Sequence, residues 1–158
     1  LKHFPGYGNN VDTHTGIAVD QRPLEQFESA DFLPFSAGMA AGDGTTAVLV
    51  SHNIMTAVDD SLPASLSPAV HDLLRDDLGF SGVVMTDDLA MEAVSDEHFS
   101  TPAAVLAVLA GNDLLISSDY AVQIPQVLAA VEDGTIPMER IDEAVTRVLV
   151  WKEALGLL

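Results

Sequence analysis

The sequence predicts an α/β fold of about four strand–helix units around parallel strands. Three observations predict it. Short apolar runs alternate with amphipathic stretches along the whole chain. The runs are apolar without a period of two, the pattern of strands covered on both faces. Two of the amphipathic stretches open on a hydroxyl–proline pair, Ser67-Pro68 and Thr101-Pro102, and close on Gly79 and Gly111.

Each element follows in turn. Residues 1–4 (LKHF) read as the end of a strand, and a long loop runs over 5–23. A helix is expected between Leu24 and Gly42, with Pro34 close to its beginning. Residues 46–51 (TAVLVS) form a buried strand, and a second long loop covers 52–66. Ser67 and Pro68 start a helix whose buried stripe is Leu73, Leu74 and Leu78. Residues 82–86 (GVVMT) are the next strand, 103–110 the next helix and 113–117 (DLLIS) the last strand. Helices over 120–133, with Pro125 near the start, and over 138–155 complete the chain; Ile141, Val145, Val148, Leu149 and Trp151 recur there at core spacing. Four such units are half of an eight-stranded barrel or most of a small doubly wound sheet. No glycine-rich phosphate turn follows a strand, because Gly6 and Gly8 precede a loop. Loops as long as 5–23 and 52–66 are the expected carriers of function.

Composition narrows the partners. The 158 residues suit a single domain, and 6 Lys+Arg against 24 Asp+Glu leave a net charge of −18. So few cations cannot form the basic face that nucleic acid requires, and an anionic membrane surface repels such a chain. The longest apolar stretch, 103–110, is far short of the ~20 residues of a membrane span, so this chain is expected to insert in no membrane. No cysteine is present, which removes disulfides and thiolate chemistry. The chain opens at Leu1 rather than Met, so the natural N-terminus is expected upstream and the compartment is left undetermined.

In folds of this class reactive groups gather past the C-terminal ends of the strands. Those positions hold Lys2-His3, Ser51-His52, Asp87-Asp88 and Ser117-Ser118-Asp119. Two consecutive Asp residues cannot both cap the following turn; Asp87 is read as the free carboxylate, and Asp88 is left to the cap or to the packing of the next turn. Asp12-Thr13-His14 places a carboxylate two residues from an imidazole, where it can hold one ring nitrogen and raise the basicity of the other. His71 and His98 read as surface residues. His3, His14 and His52 lack metal-ligand spacing, and Ser51 lacks a nucleophile elbow, so neither a metal nor a serine nucleophile is expected.

The run Lys2-His3-Phe4-Pro5-Gly6-Tyr7-Gly8, followed by Asp12-Thr13-His14, resembles glycoside hydrolase family 3, in particular its bacterial β-N-acetylglucosaminidase branch. Similarity continues through residues 63–67, 78–84, 86–91, 110–113 and 140–145. The resemblance implies that residues 1–158 are the second half of a (β/α)8 TIM-type barrel, the first half being absent from this chain. It implies a retaining exo-β-N-acetylglucosaminidase with Asp87 as nucleophile, His14 as general acid/base and Asp12 as its partner. Lys2 and His3 would bind sugar hydroxyls, Leu89 and Met91 would lie near the sugar, and no cofactor is implied. The expected partners are a small glycan and the N-terminal half of the same barrel, without which the chain is expected to be inactive. A histidine acid leaves the site less negative than a second carboxylate would, so phosphorolysis is the neighbouring possibility; a β-glucosidase of the same family and a noncatalytic half-barrel module are others. Tyr7, where many relatives carry His, and Asn9-Asn10, in place of an Asp-Thr stretch, alter the loop on the leaving-group side.

Overall fold

The computed structural model describes residues 1–10 and 16–158. Its strands are β1 (Val19–Asp20), β2 (Ala47–Val50), β3 (Ile54–Met55) and β4 (Val83–Thr86). Its α-helices are α1 (Leu24–Gln26), α2 (Phe32–Ala41), α3 (Pro68–Asp72), α4 (Ala103–Ala110), α5 (Tyr120–Glu132) and α6 (Met138–Ala154).

The apolar runs lie side by side as predicted. β2 and β4 pair in parallel from Ala47↔Val83 to Val50↔Thr86. Phe4 bridges Val50 on one side, and Leu114 bridges Met85 on the other, both in parallel. Residues 1–4 and 113–117 thus flank the pair, with only single bridges rather than full ladders. Phe4, Phe27, Phe32 and Phe35 pack against Val48, Val50 and Leu74 on one side of this sheet. The Phe4 ring stacks on Phe32 at 5.6 Å and meets Phe35 edge-on at 5.2 Å, arrangements that the ring quadrupole favours.

Helix starts and stops follow local chemistry, with two differences. Ser67 accepts the Val70 N–H, as an N-cap should, but α3 widens into a π-helical turn over Leu73–Asp77. The first helix also widens, at Phe27–Asp31, before α2 carries Pro34. A proline withholds the N–H that would reach Ala30 and crowds its carbonyl, and a wider turn just ahead accommodates both. Ahead of α4, Thr101 makes no cap; Asp96 Oδ1 accepts the Ala103 N–H at 2.8 Å instead. Gly111, at φ +118°, stops α4 in a conformation that disfavours a side chain. Six of the eight residues of α4 are buried, as an all-apolar helix requires.

The two long loops are tied to each other. β1 lies in the first and β3 in the second, and they pair in parallel at Val19↔Ile54 and Asp20↔Met55.

Two expectations are corrected. His71 is buried at 3% exposure, because α3 is covered by α4. Its Nδ1 donates to the Ser67 carbonyl at 2.9 Å, and burial pushes its pKa below the ordinary value despite that bond. On α6 Ile141 packs against the cluster of Val105, Val108, Ala130 and Ile136, but only Ala144 is fully buried, and Val145 and Leu149 are about half exposed. Polar anchors add to the hold on α6: the Trp151 indole donates to the Thr45 carbonyl at 2.8 Å, and Arg140 and Arg147 reach Asp113.

Candidate active site

The C-terminal ends of the four parallel segments meet at one pole. Asp87 follows β4 directly, and its N–H donates to the Val50 carbonyl at 3.0 Å, carrying the ladder one residue past the strand. Its carboxylate is 21% exposed. Oδ1 accepts the Asp88 N–H at 2.9 Å, and Oδ2 lies 3.8 Å from His3 Nε2. The His3 ring, about one-third exposed, meets the Tyr7 ring edge-on at 5.8 Å. Lys2 is exposed beside it.

Asp88 does a different job. Its Oδ1 accepts the N–H groups of Ala90 and Ser118, at 2.9 and 3.0 Å, and its Oδ2 takes the Ser118 hydroxyl. Partial burial pushes this carboxyl up. The Ser118 hydroxyl and the two amides outweigh that push and hold its pKa below the usual carboxylate value. Behind this turn, Leu89 is buried among Leu66, Val94, Ala103, Ala104 and Ala107, and Met91 is buried at 8% exposure.

His52 lies beneath the same turn with no exposure at all. Its Nε2 is 3.0 Å from the Asp88 carbonyl, and its Nδ1 is 2.6 Å from the Ser65 hydroxyl. Ser51 donates to the Phe4 carbonyl at 2.9 Å and hydrogen-bonds Asn53, joining two strand ends.

The glycine loop after Phe4 rests on an ionic scaffold. Arg22 binds Asp20 and Asp31, each at 2.8 Å, and stacks 4.2 Å above the Phe27 ring. The hydrogen bonds that Arg22 donates to Asp20, then to Asp31, raise its pKa above its already high ordinary value. Gly6, at φ +112°, packs against the Asp31 carboxylate, so a side chain there meets both a disfavoured backbone and a filled space.

Lys2, His3, Asp87 and Asp88 therefore share one pole. Asp12 and His14 lie outside the described residues. Among the described residues, no group of three or more His, Asp or Glu could hold a metal ion. The arrangement offers a carboxylate beside a cationic or hydrogen-bonding pair, which suits a polar, uncharged substrate. Reasoning from sequence missed three supports of this pole: the Ser118 lock on Asp88, the burial of His52 and the Arg22 scaffold. Only the Asp87-Asp88 doublet hinted at any of them, since one Asp had to be used structurally.

The model of the Glycosyl hydrolase family 3 N terminal domain matches residues 1–150. Over 99% of its length the chain is 44% identical to a Beta-hexosaminidase of Stenotrophomonas maltophilia (strain K279a), covering 44% of that protein. It is 33% identical to a Beta-N-acetylglucosaminidase/beta-glucosidase of Cellulomonas fimi, covering 30% of it. Among solved structures, a glycoside hydrolase family 3 beta-N-acetylglucosaminidase from Paenibacillus sp. str. FPU-7 superimposes with a TM-score of 0.89 at 40% identity. That match covers 99% of this chain and 31% of the other. The chain thus spans less than half the length of these relatives and corresponds to part of their α/β catalytic domain. A family match across nearly the whole chain, on a parallel α/β frame with its polar groups at one pole, makes this chain a member of glycosyl hydrolase family 3.

Proposed function

We propose that the chain is the C-terminal half of a family 3 catalytic barrel, and that with the other half it forms a retaining exo-β-N-acetylglucosaminidase. The observation that carries this reading is Asp87 itself: a partly exposed carboxylate past the end of β4, with Oδ2 facing His3 and Oδ1 held by the Asp88 N–H. In this reading Oδ2 attacks the anomeric carbon of a terminal β-linked N-acetylhexosamine as the glycosidic C–O bond breaks. His14, oriented by Asp12, gives its proton to the departing oxygen. It then takes a proton from the water that breaks the Asp87–sugar ester. Lys2 and His3 hold sugar hydroxyls; Leu89 and Met91, buried behind the Asp87-Asp88 turn, back the site from beneath and do not touch the sugar. The preference for an acetamido sugar is drawn from what the relatives are named for.

The need for a second half is supported by the relatives' greater length and by apolar side chains at the far end of the fold. Tyr120, Ile124 and Leu128 on α5 are each more than half exposed. The test is turnover of an aryl β-N-acetylglucosaminide by this chain, alone and mixed with a family 3 N-terminal half, with and without phosphate. Activity in the mixture only is the expected result, and acceleration by phosphate would reassign the reaction to phosphorolysis. A folded mixture without activity would leave a noncatalytic module.

A further inference from the structure

We infer that His52 is a positioning residue for the proposed nucleophile, acting as a neutral imidazole clamped between Ser65 and the backbone of Asp88. The carbonyl partner fixes one proton of the ring. The Asp88 carbonyl can only accept, so the Nε2 atom 3.0 Å away carries the proton. A neutral ring has one N–H, so Nδ1 accepts, and the Ser65 hydroxyl at 2.6 Å donates to it. Complete burial favours the neutral ring over an imidazolium.

The clamp rests on rigid ground. Ser65 is fully buried; its N–H donates to the Ser51 carbonyl at 3.0 Å, and its own carbonyl accepts from Asn112 Nδ2 at 2.8 Å. His52 therefore ties Asp88 to the end of β2 and to the stop of α4. Asp88 passes the constraint on, because its N–H holds Asp87 Oδ1 and leaves Oδ2 as the oxygen facing His3. Loss of the His52 donor would leave the Asp88 carbonyl with only the Met91 N–H, at 3.1 Å, and loosen the residue whose N–H sets the Asp87 carboxylate. A reacting atom displaced by about 1 Å costs about 10²-fold in rate.

This inference rests on the function proposed for Asp87, and two readouts keep the two claims apart. The first needs no substrate: the ¹⁵N spectrum of the His52 ring in this chain at pH 7. Protonated Nε2 with bare Nδ1, and a shifted Nδ1 resonance in Ser65→Ala, are expected; protonated Nδ1, or an imidazolium, overturns the clamp. The second compares kcat and KM on an aryl β-N-acetylglucosaminide in the active protein containing this chain. His52→Phe should lower kcat about 10- to 100-fold with KM nearly unchanged. His52→Gln, whose amide nitrogen can reach the Asp88 carbonyl, should recover most of that loss. Equal kcat in all three proteins, or no rescue by Gln in a folded variant, overturns it. If the unsubstituted protein has no turnover, the functional reading fails and the ring spectrum alone decides the clamp.

Discussion

The two poles of the same strands treat an aspartate in opposite ways. At the C-terminal pole Asp87 is partly exposed, bound by one backbone amide, with an imidazole 3.8 Å away and no arginine paired to it among the described residues. At the N-terminal pole the Asp113 side chain is wholly buried. It takes Arg75 and Arg140 at 2.8 Å, Arg147 at 3.1 Å and the Val84 N–H at 3.0 Å. Three of the chain's four arginines are spent there. Burial pushes the Arg75 pKa down, and Asp113 works against that push. The difference separates chemistry from architecture. A saturated carboxylate has no lone pair to offer a substrate, whereas one whose second oxygen meets only an imidazole 3.8 Å away, among the described residues, does.

The sharpest way to break the comparison is to remove each charge in turn. Asp87→Asn should reduce turnover of the active protein to background, since the amide cannot act as the nucleophile, while the denaturation midpoint stays within the small range of surface substitutions. Near-normal turnover would remove the catalytic role. Asp113→Asn should do the reverse. Leaving three guanidiniums without their buried anion should cost about 3–5 kcal/mol. That corresponds to roughly 2–4 °C of melting temperature per kcal/mol for a chain of this size. Activity per folded molecule should persist. His14→Ala should slow glycosides with poor leaving groups far more than activated aryl glycosides, which need little protonation. Equal losses on both would argue that His14 is not the acid.

Much of this division was legible beforehand, and what was not has physical causes. The strand ends are found where the apolar runs stop, so the sequence itself puts Lys2, His3 and Asp87 at one pole. The helix stops at Gly79 and Gly111 were legible because left-handed backbone favours glycine. The β1–β3 pair was not, because two-residue strands carry no period and their pairing spans 35 residues between Val19 and Ile54. The burial of His71 depends on α4 covering α3, a contact between elements that no local pattern encodes. The apolar stripe of α6 was visible, but a stripe says which face is apolar and not what covers it. Of the two carboxylates in the Asp87-Asp88 doublet, the division of labour was readable; the partner that locks Asp88, Ser118, lies 30 residues away.

Acidification probes the same contrast more gently. His71 is buried and its folded pKa is lowered, so below its ordinary value of about 6.5 the unfolded chain binds the proton that the folded chain refuses. Stability should therefore fall as pH drops below about 6.5, by at most about 1.4 kcal/mol per pH unit for this one group. His71→Gln should flatten that limb. Asp59 and Asp88 also have lowered folded pKa values. In each, burial pushes up and is outweighed: Ser67 and Ser61 do this for Asp59, and Ser118 for Asp88. Their stabilisation is complete above the unfolded value of about 3.8 and is lost as pH falls through the lower folded values. Ser118→Ala should move the acid limb upward by weakening the hold on Asp88. An unchanged acid limb in that variant would show that the Ser118 lock adds nothing to stability.

The smallest expected effect tests the saturated pole most directly. Arg147 is the most exposed of the three arginines, at 32%, and lies farthest from the Asp113 oxygens. Arg147→Ala should cost only about 0.5–1 kcal/mol, within the range of partly exposed ion pairs, because Arg75 and Arg140 still neutralise the buried carboxylate. The informative measurement is the same substitution in an Asp113→Asn background. There the guanidinium keeps only the exposed Glu143 carboxylate, 3.8 Å away, and still faces two other cations, so its removal should be close to neutral or stabilising. A sign change between the two backgrounds, read from urea midpoints at constant slope, would establish that Arg147 is held by the charge of Asp113. An equal loss in both would mean that its stem, packed along α6, contributes instead, and the contrast between the poles would then rest on Arg75 and Arg140 alone.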